Sequence, residues 1–234
     1  LQWLSKYYAN DNLAKSYLSI IKNQADYLMN LLEQLVYFRK AESATLELKC
    51  RNLNIVSFIE KIIGSYEWQA KEQRIELKFV HPETDIFLWF DPKKMEKVFH
   101  NLISNAFKYT NPGGKVKLIL NYDEDEDILI KIIDTGKGIS KENIEHIFER
   151  FYQVDSTAGG YGIGLSLTKS LIDLHKGEIS VKSTEGKGTE FYIRLKSGTD
   201  HLDEKQMIVD EISPEIKTLT TPQDKALIKK DQQE

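Results

Sequence analysis

Two amides and a lysine occur along one predicted helix at a spacing that could bind a phosphate and its metal ion. Asn101, Asn105 and Lys108 lie at positions i, i+4 and i+7, so they share one helix face. Burying these polar groups together is unfavourable unless something binds them. Amide oxygens suit Mg²⁺, which prefers oxygen ligands, and a lysine suits phosphate. An ordinary amphipathic helix with a solvated face explains this segment equally well.

A second candidate site follows the strand predicted at residues 127–134. Asp134 stands at the end of this strand and is followed by Gly136 and Gly138. A carboxylate there, beside exposed backbone, can accept a hydrogen bond from an exocyclic amine such as that of adenine. Glycine-rich turns are common, so this motif is weak by itself.

A third motif, Gly159-Gly-Tyr-Gly-Ile-Gly-Leu165, leads into the helix predicted at residues 163–176. Backbone N–H groups and the helix dipole favour an anion at such a helix start. No Gly-Lys-Ser/Thr follows and no βαβ unit surrounds the motif, which excludes a Walker loop and a dinucleotide-binding fingerprint.

Two further segments flank this glycine motif. The aromatic residues of Phe148-Glu-Arg-Phe-Tyr-Gln153 precede polar residues 155–158, which is typical of a movable lid. Gly186-Lys-Gly-Thr189 joins the last two predicted strands, and by itself it is best explained as a plain turn.

Composition excludes several classes of protein. The 234 residues contain 32 Lys and Arg against 36 Asp and Glu, and this net charge of −4 gives no reason to expect nucleic-acid binding. The longest apolar run, residues 86–90, is far too short for a membrane helix, so we expect no membrane contact. The single cysteine, Cys50, excludes a disulfide framework and a cysteine-based zinc site.

The hydrophobic pattern predicts a long helix and then an α+β domain. Two adjacent apolar stripes along residues 10–42 predict a helix with a wide apolar face, which a helical hairpin dimerised into a four-helix bundle would cover. Packing against its own domain is the alternative. Thereafter we expect a two-layer sandwich, a mixed or antiparallel sheet covered on one face by helices. The predicted strands are 45–49, 75–81, 87–90, 115–122, 127–134, 177–184 and 189–195; the predicted helices are 55–72, 91–109, 140–150 and 163–176.

The predicted domain boundaries are 1–44 for a partial dimerisation hairpin, 45–199 for the α+β domain and 200–234 for a tail. The tail carries nine acidic and five basic residues and lacks aromatics, which favours a linker or loosely ordered extension. The chain begins at Leu1 without a methionine or a secretion signal, and we expect it to be part of a longer protein.

In their order and spacing, the motifs resemble the ATP-binding catalytic half of bacterial sensor histidine kinases, in the gyrase, chaperone and mismatch-repair ATPase superfamily. The resemblance covers residues 45–196, and helix 10–42 is similar to the second helix of the family's dimerisation domain. The matching boxes are 100–109 (N box), 134–138, 160–164 and 186–189 (glycine boxes), and 148–152 (F box).

This resemblance implies a role for each matched residue. Asn105 would coordinate the Mg²⁺ that bridges the phosphates of ATP, with Asn101 nearby and Lys108 on a phosphate. Tyr109 would line the nucleotide pocket, and Asp134 would select adenine through its amino group.

The remaining matched residues would shape the pocket and its lid. Gly136 and Gly138 would allow close approach of the base, and Thr189 would close the adenine pocket. Arg150 and Gln153 occupy positions from which a side chain often reaches phosphate. The phosphate end and the lid would be formed by Gly160, Gly162, Gly164 and Leu165.

One position favours a kinase over a hydrolase. ATPases of the superfamily carry a glutamate four residues before the metal-binding asparagine, where it activates water. This chain has Asn101 there, and an amide cannot accept a proton. The resemblance therefore implies that the γ-phosphate is kept for a presented nucleophile, and it disfavours a hydrolase.

The phosphoacceptor motif of the family is missing. Its histidine lies in a His-Glu/Asp-x-x-Thr/Asn-Pro sequence, and none of the five histidines has that context: His81, His100, His146, His175 and His201. We therefore expect an acceptor upstream of Leu1 and no autophosphorylation by this chain.

The resulting expectation is an ATP- and Mg²⁺-dependent protein histidine kinase module of a two-component sensor. We expect it to form a homodimer through the helical bundle and to pass phosphate to a response-regulator receiver domain. It would be the cytoplasmic portion of a membrane-anchored bacterial sensor, and the acidic tail fits a hybrid kinase. The alternative is a non-catalytic dimerisation and receiver-docking scaffold with a degenerate nucleotide pocket.

Overall fold

The computed structural model describes residues 47–154 and 162–208, together with some helical positions between residues 13 and 25. These positions agree with the predicted helix 10–42, and the rest of that helix lies outside the described residues. So do Gly160, the polar lid residues 155–158 and the tail beyond residue 208.

Strands and helices follow one another along the folded domain, and we number them in chain order. They are β1 (Arg51–Asn54), α1 (Ile55–Gly64), α2 (Glu67–Gln73), β2 (Glu76–Val80), β3 (Phe87–Phe90), α3 (Pro92–Tyr109), β4 (Lys115–Tyr122), β5 (Ile128–Asp134), α4 (Lys141–Ile144), α5 (Gly164–Leu174), β6 (Glu178–Thr184) and β7 (Gly188–Leu195).

The main sheet is mixed and has five strands in the order β2-β4-β5-β7-β6. Strand β2 pairs with β4 in parallel, and the other neighbours are antiparallel. Strands β1 and β3 form a separate antiparallel pair. Alternate residues of β4 and β5 are buried because side chains of a strand point to opposite faces, and α3 and α5 pack together beside this buried face. The predicted α+β fold is confirmed.

Helix α3 carries the first motif and has a well-defined start. Asp91 caps it by accepting hydrogen bonds from the backbone N–H groups of Lys93 and Lys94 at 3.1 and 3.2 Å, and Pro92 occupies the first turn. Its apolar face, which includes Phe99 and Leu102, is completely buried in the core. The helix is therefore held along one side while its polar face meets the end of the sheet.

A buried histidine joins α5 to the start of α3. His175 donates from Nδ1 to the carbonyl oxygen of Leu171 at 2.7 Å and accepts at Nε2 from the backbone N–H of Asp91 at 3.0 Å. Burial lowers the pKa of His175, which favours the neutral ring that these two bonds require. The two helices that frame the candidate site are thus fixed to each other.

Three predicted elements are wrong at their boundaries. Residues 47–49 form no strand; the strand begins at Arg51, where β3 supplies the partner. The predicted helix 55–72 is two helices, because the hydroxyl of Ser65 and its backbone N–H bond to the carbonyl of Ile62 and end the first one. The predicted helix 140–150 is helical only over Lys141–Ile144, and turns follow.

The described start of the predicted tail contacts the folded domain. Cys50 donates its backbone N–H to the carbonyl of Gln206 and accepts from the N–H of Ile208, both at 2.7 Å. A 3₁₀ turn at Glu204–Gln206 precedes this parallel bridge. Within the described ranges, no helix has the length and apolar character needed to cross a bilayer.

Candidate functional site

A cavity of about 390 Å³ lies where the C-terminal half of α3, the end of β5 and the start of α5 meet. The motifs lie far apart in sequence, and the fold brings them to this one place. The residues proposed from the sequence that line the cavity are Asn101, Asn105, Lys108, Tyr109, Asp134, Gly138, Gln153, Gly162, Gly164, Leu165 and Thr189.

Two described candidates do not line this cavity. Arg150 is exposed and stands away from its wall. Gly136 is buried behind the wall, where its N–H donates to Asp134 Oδ1 at 2.8 Å. Gly136 therefore supports the site from behind.

Asp134 forms the buried end of the cavity. It is the last residue of β5, and the antiparallel register places it directly opposite Thr189 of β7. Burial raises the pKa of the Asp134 carboxyl, and hydrogen bonds from the backbone N–H groups of Gly136 and Thr189 oppose this rise. Each carboxylate oxygen can accept more than one hydrogen bond, so Asp134 retains acceptor capacity towards a ligand.

A hydroxyl network fixes the strand that faces Asp134. Ser183 Oγ lies 3.1 Å from Thr189 Oγ1 and donates to the carbonyl of Gly188 at 2.7 Å. The same oxygen accepts from the backbone N–H of Ile139 at 2.9 Å. The turn at residues 186–189 is thereby tied to the glycine box of Asp134, and the two boxes form one wall.

The two asparagines of α3 have different surroundings. Asn101 donates from Nδ2 to Thr168 Oγ1 of α5 at 2.8 Å, so its amide holds the two helices together. Asn105 also lines the cavity, but its side chain has no hydrogen-bond partner among the described residues. The amide of Asn105 is therefore available to a bound cation, whereas the amide of Asn101 is oriented by Thr168 and lies against Gly164.

Two glycines are required by close approach of other groups. Gly138 has a positive φ of 67°, and a Cβ there would overlap the carbonyl of Thr184. A Cβ on Gly164 would overlap the side-chain amide of Asn101. The start of α5 can lie against α3 only because residue 164 has no side chain.

Replacement of Gly164 by alanine is therefore expected to displace Asn101 and break its hydrogen bond to Thr168. We expect a loss of about 1–2 kcal/mol of unfolding free energy, a few degrees in Tm. The matched control is Gly64→Ala, since a Cβ at Gly64 meets no atom within 4 Å. Thermal unfolding of both variants is the measurement, and equal Tm values would refute the role assigned to Gly164.

Two lysines converge on one aromatic ring at the cavity. The Lys108 and Lys137 ammonium groups lie 4.9 and 4.8 Å from the Tyr109 ring centroid. Such cation–π contacts hold a positive charge in place. Both lysines are exposed and place positive charge on the described wall of the cavity, whereas the carboxyl group of Asp134 is buried.

Sequence reasoning missed several residues of the wall. Lys137 stands between two predicted glycines, and Phe191 lies two residues after Thr189 on the same strand face, so the spacing could have indicated both. Ile163 also stands between two predicted glycines, and the others had no such signal. The missed lining residues are Ala106, Lys137, Ile139, Ile147, Tyr152, Val154, Ile163 and Phe191.

The described ends of the lid segment meet at the cavity wall. Phe151 donates its backbone N–H to the carbonyl of Gly162 at 2.7 Å, and it does so with a positive φ of 63°. Tyr152 donates its hydroxyl to Asn143 Oδ1 at 2.5 Å. The two ends of the lid segment are therefore bonded to each other, and Tyr152 ties them to Asn143 of the folded domain.

Comparison with known proteins agrees with this geometry. Residues 90–199 match the family described as "Histidine kinase-, DNA gyrase B-, and HSP90-like ATPase". The chain is 37% identical over 210 residues to histidine kinase P4 of Formosa agariphila, and 34% identical over 191 residues to sensor histidine kinase WalK of Bacillus subtilis. The chain carries the ATP-binding catalytic domain of a sensor histidine kinase.

These histidine kinase matches cover most of this chain but a smaller part of each relative. They include 87% and 80% of the chain, yet only 15% of P4 and 31% of WalK. Among solved structures, the match to full-length ShkA in complex with AMPPNP includes 81% of this chain and 40% of the ShkA chain. The sequence identity is 24% and the TM-score is 0.69. The match to histidine kinase AdeS of Acinetobacter baumannii includes 81% of this chain and 86% of the AdeS chain, with 24% identity and a TM-score of 0.66. These likenesses show the fold.

Proposed function

We propose that this module binds Mg²⁺-ATP and transfers its γ-phosphoryl group to a histidine on a helical bundle. The observation that carries the proposal is the cavity itself. A buried carboxylate, Asp134, stands at one end to accept the adenine amine, and the amide of Asn105 and the ammonium of Lys108 lie on α3 for the phosphates. The non-catalytic scaffold is not favoured, because the lining keeps these groups.

The surroundings of Asn105 fit Mg²⁺. The ion prefers oxygen ligands and commonly binds through one or two protein groups together with phosphates and water. No cluster of three or more histidines, cysteines or carboxylates suited to a metal occurs within the described residues. The Asn105 amide oxygen would therefore hold Mg²⁺ jointly with the nucleotide, and the ion would neutralise charge on the phosphates.

The rest of the site positions the substrate and provides no base for water. Gly136 orients Asp134, and Thr189 closes the base end. On the described wall the only carboxylate is Asp134, at the buried end, and Asn101 is bonded to Thr168. Transfer then depends on positioning and electrostatics, and hydrolysis is expected to be slow. Gln153, Leu165 and the second glycine box retain the phosphate-end roles that the resemblance implies.

The nucleophile and the later acceptor would come from outside the catalytic domain. Four apolar residues on the described helical positions are exposed: Leu13, Tyr17, Ile20 and Ile21. Such a face supports a bundle formed with a second copy. We propose a response-regulator receiver domain as the next acceptor and a cytoplasmic position within a membrane-anchored sensor. The boundaries 1–44, 45–199 and 200–234 remain predictions.

The test is phosphoryl transfer in trans. The chain is mixed with γ-labelled ATP, Mg²⁺ and a separate dimerisation bundle that carries an acceptor histidine, from the relative P4. We expect acid-labile label on the bundle, none on the chain and slow release of phosphate. Acid-labile label on the chain itself would contradict the expectation that it does not autophosphorylate. Rapid steady phosphate release without a labelled bundle would support a hydrolase.

A further inference from the structure

We infer that Lys137 is a second phosphate-binding lysine of the cavity, one that selects nucleotides carrying a phosphate chain over the bare nucleoside. The inference rests on the proposed function, because it assigns a contact to the same nucleotide. Lys137 lies in the glycine box of Asp134, whereas the phosphate roles derived above concern α3 and the lid.

The backbone of Lys137 is fixed on both sides. Its N–H donates to the carbonyl of Tyr109 at 3.1 Å, and its carbonyl accepts from Gly186 at 2.7 Å. A side chain on either neighbouring glycine would overlap backbone, that of Tyr109 or of Thr184. The backbone at Lys137, and with it the Cβ, is therefore held against the end of α3.

The ammonium groups of Lys137 and Lys108 lie over the same aromatic ring, that of Tyr109. Both nitrogens lie within 4.9 Å of the centroid of that ring. A polyanion that reaches both ammonium groups would gain two charge-assisted contacts. The two lysines thus come from different elements, α3 and the β5–α4 loop, to one end of the cavity.

The distribution of charge identifies the class of ligand group. Three charged residues line the described wall: Asp134, which is buried, and Lys108 and Lys137, which are exposed. A base that reaches Asp134 places any attached phosphates towards the exposed, positive end. The structure therefore assigns Lys137 to the phosphate chain and not to the base.

The chain supplies a matched control. Lys131 of β5 also holds its ammonium over a tyrosine, 5.4 Å from the Tyr192 ring centroid, and it lies outside the cavity. Lys131→Gln removes the same charge and the same kind of contact six residues away. Lys137→Arg retains the charge at the site itself.

The test is titration of the chain and its variants with ATP, ADP and adenosine, at low and high salt. Lys137→Gln is expected to weaken ATP and ADP binding about tenfold and to leave adenosine binding unchanged. The loss should shrink at high salt, Lys137→Arg should restore affinity, and Lys131→Gln should behave as the wild type.

Each other outcome has a defined meaning. Unchanged ATP affinity in Lys137→Gln, or an equal loss for ATP and adenosine, would overturn the role of Lys137 and leave the proposed function intact. Absence of ATP binding to the unmodified chain would instead refute the proposed function. Equal losses in the Lys131→Gln control would show a general charge effect and would overturn the inference.

Discussion

Replacement of Asn105 by alanine is expected to abolish phosphoryl transfer and the part of ATP affinity that depends on Mg²⁺. The amide oxygen of Asn105 lines the cavity and has no hydrogen-bond partner among the described residues, so its loss removes the proposed Mg²⁺ ligand and little else. We expect transfer to fall by at least about 100-fold, the order seen when one electrostatic contact to a reacting group is lost. Initial rates of bundle labelling, with ATP titrations in the presence and absence of Mg²⁺, measure both effects.

Two controls separate metal binding from folding. Asn121→Ala removes an exposed amide at the end of β4, outside the cavity, and should retain full transfer. Asn101→Ala should lower the Tm, because it removes the hydrogen bond to Thr168. An Asn105→Ala variant that binds Mg²⁺-ATP as the wild type does would contradict the ligand assignment.

Replacement of Asp134 by asparagine is expected to weaken nucleotide binding strongly. Asp134 Oδ1 accepts a hydrogen bond from the backbone N–H of Gly136. In asparagine one carboxylate oxygen is replaced by an NH₂ donor, which would face another donor, either this backbone N–H or the adenine amine. Loss of a hydrogen bond to a charged acceptor costs about 1.5–3 kcal/mol, or roughly 10- to 150-fold in affinity. Isothermal titration with ATP measures it, and an unchanged affinity would refute adenine recognition by Asp134.

The same variant should show a distinctive dependence of stability on pH. Burial raises the pKa of Asp134 above its ordinary value, so the folded state binds the proton more tightly than the unfolded state does. The ionised carboxylate therefore costs stability at neutral pH, and this cost disappears as the pH falls through the raised pKa. The unfolding free energy of Asp134→Asn minus that of the wild type should therefore be larger at pH 7 than at pH 4. The reverse trend in unfolding free energy would contradict the burial argument.

Local signals in the sequence predicted much of the fold. Helix α3 follows its prediction closely, because Asp91 and Pro92 are strong local start signals. The parallel pairing of β2 with β4 and the bridge from Cys50 to Met207 are contacts between distant segments, so no local pattern encodes them. The predicted strand at 45–49 failed for that reason, since the pairing partner of β1 lies at Phe87–Phe90.

The sequence predicted the motif residues of the candidate site but not the contacts that hold them in place. Order and spacing identified the glycine boxes and both asparagines as candidates. They could not show that Thr168 engages Asn101, a contact that depends on helix packing across 67 residues. Lys137 was overlooked because its significance comes from Tyr109, and that proximity exists only after β5 packs beside α3.

The most direct test of the central claim is titration of the chain with a fluorescent ATP analogue, with and without Mg²⁺, beside the Asp134→Asn variant. We expect saturable binding that Mg²⁺ strengthens and the substitution weakens. Binding whose affinity does not change with Mg²⁺ would refute Asn105 as a metal ligand and leave the nucleotide cavity as proposed. No saturable binding under any condition would contradict it, and a scaffold with a degenerate pocket would then be the better description.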